Sequence, residues 1–155
     1  MVNMIYSRLA ESIEPPAAQL NDRLMSNITK GISREQIVNL QFAMVDIQTP
    51  QPEPTHFFAP GMYLRELTVP GGMIMVGKIH KHAHFLIVTK GRARVISEFG
   101  DAILEPGYIA VSEPGVKRVV LAIEDTQFIT VHTNKTETND LKIIESEHIE
   151  AETLK

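Results

Sequence analysis

A chain of 155 residues with 43% apolar residues is long enough for one domain with a sizeable core. Lys+Arg 15 against Asp+Glu 19 leave a net charge of −4, which argues against a general polyanion binder, so nucleic acid is not an expected partner. The absence of cysteine removes disulfides, thiolate zinc sites and cysteine nucleophiles together.

The opening residues, Met1 to Arg8, carry no basic stretch followed by an apolar core, and no apolar run approaches the roughly 18 residues of a membrane span. The expectation is a soluble, cytoplasmic protein with no membrane partner. Residues 1–24 are of mixed polarity and broken by Pro15-Pro16, which predicts an irregular or weakly helical arm. Ser33-Arg34-Glu35-Gln36 has the form of a capping box, and Ile37, Val38, Leu40, Phe42 and Met44 supply a broad apolar face behind it. A helix over 34–46 follows from that pattern. Thr49-Pro50-Gln51-Pro52-Glu53-Pro54 ends the helix and extends the chain, so residues 1–55 are taken as an N-terminal arm and 56–133 as the core.

After residue 56 the texture changes to short apolar runs punctuated by turns. Strands are predicted at 62–69, 73–79, 80–89, 92–99, 108–112, 116–123 and 127–132. Between them fall Pro60-Gly61, Pro70-Gly71-Gly72, Lys90-Gly91, Gly100-Asp101, Pro106-Gly107 and Pro114-Gly115. Such spacing without intervening helices predicts an all-β barrel or sandwich. The polar, acidic tail, 134–155, contains one short helix with Leu141, Ile144 and Ile149 as its apolar positions.

The chemistry-bearing residues concentrate in 77–91. His80, His82 and His84 share a face if the segment is extended, and Leu86 and Val88 continue that row into an apolar interior. Steps of roughly 6.6–6.8 Å along a strand keep all three from converging on one ion. Two of them joined by His132, which shares a face with Phe128 and Thr130, make a more workable set for a divalent first-row metal. Arg118 cannot ligate, but its guanidinium fork suits a carboxylate, phosphate or sugar acid, and Arg65 is placed to help. The plainer alternatives are histidines hydrogen-bonded in a polar interior or at a subunit contact, and arginines in surface ion pairs. Glu66 and Glu98 are expected at the surface rather than as acid or base, and Met62, Met73 and Met75 as core filler. Lys78, Lys81, Lys90, Arg92, Arg94, Lys117 and Arg118 form a basic concentration that is either a solvated face or a guide for an anionic ligand.

The order of these signals resembles the cupin superfamily, the RmlC-like jelly rolls. Gly77, the histidine cluster and Gly91 occupy the frame of that family's first motif, with His84 where the family has Glu. Gly100-Asp101, Pro106-Gly107 and Pro114-Gly115-Val116-Lys117-Arg118 fit the second, with Arg118 where the family has His. A closer likeness is to small uncharacterised cupin-like proteins encoded by bacteriophages and prophages. It is carried by Ala59-Pro60-Gly61-Met62-Tyr63-Leu64-Arg65-Glu66, by Lys78-Ile79-His80-Lys81 with His84-Phe85, by Lys117-Arg118, and by Glu124-Asp125-Thr126 with Thr130-Val131-His132. That group's Ile-His-Lys-x-x-His pattern maps to His80 and His84, not to His82.

The resemblance implies an all-β, cupin-type double-stranded β-barrel with an N-terminal helical arm and a short C-terminal helix. Its apolar arm, and apolar residues on both faces of 79–89, predict a homodimer or larger oligomer. The expected function is capture of a small anionic ligand by Arg118, His80, His84 and Arg65. The alternatives are a metal-dependent dioxygenase, isomerase or lyase using His80, His84 and His132, with His82 in reserve, and a structural or accessory phage component.

Overall fold

Strands that alternate apolar and polar residues bury one face each, and two such sheets satisfy each other by packing those faces together. A computed structural model describes the main chain of residues 5–8 and all of residues 32–45 and 50–151. Its strands are β1 (Ile5–Arg8), β2 (Thr55–Ala59), β3 (Met62–Val69), β4 (Met73–Val76), β5 (His84–Lys90), β6 (Ala93–Ser97), β7 (Gly100–Leu104), β8 (Ile109–Ser112), β9 (Arg118–Ala122) and β10 (Thr126–Thr133). They form two five-stranded antiparallel sheets, β1-β4-β9-β6-β7 (sheet A) and β2-β3-β10-β5-β8 (sheet B). From β3 onward the pairing is nested: β3 with β10, β4 with β9, β5 with β8, β6 with β7. The chain is in effect one long hairpin wound into two layers, which is the cupin-type jelly roll expected from the sequence.

Between the sheets lie Leu67, Val69, Val88, Leu104, Val120 and Phe128, with Met73 and Met75 filling gaps as expected. Met62 does not join them; it is 52% exposed, because the alternation of β3 turns it outward while Tyr63, Arg65 and Leu67 face in. The outer face of sheet A is covered by helix α1 (Arg34–Val45), whose Ile37 and Met44 pack on Ile74, Val76, Ile96 and Val119. The capping box forms in both directions: Ser33 N donates to Gln36 Oε1 at 2.8 Å, and Gln36 N donates to Ser33 Oγ at 3.2 Å. Arg34 pins the helix start by donating from Nε to Glu98 at 3.1 Å and from its terminal nitrogen to Gly115 O. Helix α2 (Leu141–His148) starts on Asp140, which accepts from Lys142 N at 2.8 Å.

Four sequence expectations change. Residues 5–8 of the supposedly irregular arm are a strand, because the edge of β4 supplies the pairing that local sequence cannot reveal; the rest of 1–24, and residue 46 of the expected helix, lie outside the described residues. Thr55–Ala59 forms an edge strand although it lacks clean alternation. Gly100-Asp101 belongs to β7, and the hairpin turn falls just before it at Glu98-Phe99, where Phe99 N donates to Ser97 Oγ at 3.2 Å. The strand predicted at 80–89 begins only at His84, since residues 77–83 leave the sheet as a loop.

Gly91 takes φ +74°, and a Cβ there would lie 2.1 Å from the Asp125 carbonyl oxygen. Gly61 has the same backbone sign, φ +73°, with nothing within 4 Å of that position. Gly61→Ala should therefore cost only the left-handed penalty, about 1–2 kcal/mol. Gly91→Ala should cost at least twice as much in urea denaturation; equal losses would mean that the approach of the Asp125 main chain is not tight.

Candidate metal centre

The register of sheet B assembles the site. On its inner face Tyr63 stands opposite both Phe58 and His132, and His84 stands opposite Ser112. Val131 pairs with Phe85, so the next positions along these antiparallel strands, His132 and His84, are neighbours. Their rings lie 4.6 Å apart, and Tyr63 stacks on the other side of His132 at 5.6 Å. Tyr63 in turn shares a 2.7 Å hydrogen bond with His56 Nδ1.

His80 arrives from the 77–83 loop, which the C-terminal segment straps down. Gly115 N donates to His80 O at 2.9 Å, Lys81 N to His148 O at 2.8 Å, and Glu150 N to Ile79 O at 2.9 Å. A β-bridge joins His80 to Ile149, and Lys78 pairs with Glu145 of α2. So held, the His80 ring sits 4.2 Å from His84 and 5.4 Å from His132. One ring nitrogen from each of the three lies within 4.8 Å of the others.

Burial is the first cause of a pKa depressed to about 2 for His80, about 4 for His84 and about 2 for His132. Arg65 and the neighbouring imidazoles reinforce all three shifts, Arg118 those of His80 and His84, and for His84 a backbone hydrogen bond to His82 opposes part of it. All three are neutral at pH 7, the state in which imidazole ligates a metal. Tetrahedral ligation at roughly 2.0–2.2 Å sets nitrogens about 3.4 Å apart, so the rings must close in by as much as about 1.4 Å, and the chemistry of the donor set then fits a divalent first-row metal.

His82 does not converge with them. It is exposed in the loop, its ring meeting His148 edge-on at 5.9 Å, because the loop breaks the alternation that would have aligned it. His148 itself is a member of the cluster that the sequence did not single out. It is buried, 5.1 Å from His132, beside the backbone of Thr133. The available signal was its spacing of four from Ile144, which puts both on one buried helix face.

Arg65, on β3, and Arg118, on β9, come from opposite sheets to line a cavity of about 80 Å³ that His80 and His84 also border. Arg65 is buried, and burial lowers the pKa of half-buried Arg118. No carboxylate lines this cavity among the described residues, whereas the buried hydroxyls of Ser112 and Thr130 border it without a protein partner. Past Arg118 and Ser112 it adjoins a more open groove of about 240 Å³ that includes Tyr108 and Phe99. Part of the remaining basic concentration is paired locally: Arg94 with Asp101, Arg92 with Glu124 at 3.6 Å and Lys78 with Glu145, while Lys81 donates to Ser146 O at 2.7 Å. Glu98 is engaged by Arg34, and Glu66 lies on the outer face of sheet B, opposite Thr55 and Ile129; neither reaches the cavity.

No family model matches the sequence, and no curated protein matches it. Among solved structures it is similar to KdgF from Halomonas sp., with 19% identity over 57% of this chain and 82% of that one and a TM-score of 0.48. Ectoine synthase from P. lautus gives 14% identity over 61% and 74% of the respective chains, TM-score 0.49. An RmlC-like cupin family protein with a double-stranded β-helix fold from Methanocaldococcus jannaschii gives 17% over 58% and 86%, TM-score 0.46. These likenesses describe architecture and assign no chemistry.

The neutral histidines have a consequence for stability. Their folded pKa values lie below the unfolded value near 6.5, so below that pH the unfolded chain binds protons that the folded chain refuses. Metal-free protein should lose stability as pH falls from 7 to 5.5, by about 1 kcal/mol for each histidine and about 3–4 kcal/mol for the three. His132→Phe should flatten the slope by about a third. Urea midpoints that stay level across this range would show that the rings are not held neutral.

Proposed function

We propose that the barrel binds a divalent first-row metal through His80, His84 and His132, and holds a small anion beside it with Arg118 and Arg65. The observation that carries this reading is the composition of the cavity: neutral imidazoles converge there with Arg118 and Arg65, and no carboxylate among the described residues is on its wall. A dication next to the Arg118 guanidinium is unfavourable in a partly dry site unless a negative group joins them. Metal and anion therefore bind cooperatively, each offsetting the repulsion felt by the other.

The size of the cavity bears on the ligand. About 80 Å³ takes a compact group of a few heavy atoms, well under a whole drug-sized molecule. A carboxylate or phosphate group enters, accepting from the Arg118 fork and from the Ser112 and Thr130 hydroxyls. The rest of the molecule continues past Arg118 into the groove beside Tyr108. A metal so held supplies Lewis acidity, polarising a carbonyl or lowering the pKa of bound water. This chain's residues orient the anion and exclude bulk water, which also keeps open the second reading, a metal-dependent dioxygenase, isomerase or lyase. A resemblance to phage-encoded cupin-like proteins and the lack of cysteine support a cytoplasmic, phage-borne setting.

Elemental analysis and titration calorimetry test this directly. Chelator-stripped protein should take up close to one Zn²⁺ or Co²⁺ per chain, and His84→Ala or His132→Ala should weaken uptake about a hundredfold or more. Arg118→Ala should keep the metal and lose about tenfold or more in affinity for malonate, the cost of a charged hydrogen-bonded pair. Less than a tenth of a metal per reconstituted chain would overturn the metal centre. Malonate binding that is unchanged in Arg118→Ala would overturn the anion site.

A further inference from the structure

The inner face of sheet B carries the site, and its outer face carries a second pattern. Register places Phe57, Leu64, Val131, Phe85 and Val111 in one row across all five strands. The next row runs Ile129, Ile87 and Ile109, with Glu66 and Thr55 at the β2 end. Phe57, Phe85, Val111 and Ile109 are between 49% and 65% exposed. The corresponding face of sheet A is covered by α1, whereas among the described residues nothing covers sheet B. Roughly 100 Å² from each half-exposed side chain, with smaller amounts from the inset ones, gives on the order of 600 Å² of continuous apolar surface. That is the upper end for a patch left open on a monomer.

We infer that this face packs against the same face of a second copy of the chain. Two copies joined here remove about 1,200 Å² from water, which reaches the range of specific interfaces. An apolar row that crosses every strand of a sheet can meet its own copy under a two-fold axis, and sheets stack face to face at about 10 Å. Glu66 and Thr55 lie at one end of the second row, so the middle of the contact buries no charge.

Sedimentation velocity on the full chain from 1 to 100 µM should give twice the chain mass, and Ile109→Lys with Val111→Lys should give a folded monomer with an unchanged circular dichroism spectrum. Because the chain has no cysteine, a single Cys at Val131 or Phe85 should cross-link copies under oxidation, while Cys at Asn39 on the exposed side of α1 should not. A wild-type monomer at 100 µM would overturn the inference, whether residues 9–31 or a different protein cover the face. So would a dimer that survives the double substitution. Should the double variant fail to fold, cross-linking decides, and its absence at both Val131 and Phe85 overturns the inference.

Discussion

The pairing of β10 between β3 and β5 is the constraint on which the remaining structure hangs. Because side chains alternate with period two, one register decides two surfaces: His132 and His84 meet inside while Val131 and Phe85 meet outside. A slip of one residue would exchange them, exposing imidazoles and burying Phe85 against Arg65. The protein does contain a one-residue irregularity between β10 and β5, at Gln127/Phe128. It falls at the far end of the strand, where Thr89 Oγ1 donates to Gln127 Oε1 at 2.5 Å, so the offset is absorbed before the histidine end.

That arrangement concentrates positive charge in an enclosed space. Elsewhere Arg34, Lys78, Arg92 and Arg94 each face a carboxylate. Inside, Arg118 lines a cavity whose described walls hold no carboxylate, and the adjoining histidines give up their protons rather than add to the charge. A core optimised only for stability would hold apolar residues in these positions. Local departures of this kind, set within an otherwise consistent jelly roll, are where function is expected to reside.

How much of this was legible depended on whether the determining contact was local. The turns and most strands were readable from Pro-Gly pairs and alternation, and His132 could be put on an inner face because Phe128 and Thr130 share its parity. The capping box at Ser33 was readable because it closes within four residues. The 77–83 loop was not: in sequence, His80, His82 and His84 alternate cleanly, and only contacts with residues 148–150 show that the chain leaves the sheet there. His148 escaped for the same reason, as did the pairing of residues 5–8 with β4. Gly91, read as part of a motif, proves to answer a steric demand from Asp125, thirty-odd residues away.

The same non-locality bears on how the site forms. His84 and His132 are brought together by sheet pairing, but His80 is held by a strap made from residues 148–150, with Gly115 gripping its carbonyl. Three distant parts of the chain must therefore be in place before three imidazoles converge. A ligand that needs all three discriminates between the folded barrel and every partly folded form, so its binding free energy adds to the stability of the native state alone. A metal held by all three imidazoles would therefore couple its binding to the placement of the 77–83 loop, because His80 reaches the cluster only through the strap at 148–150.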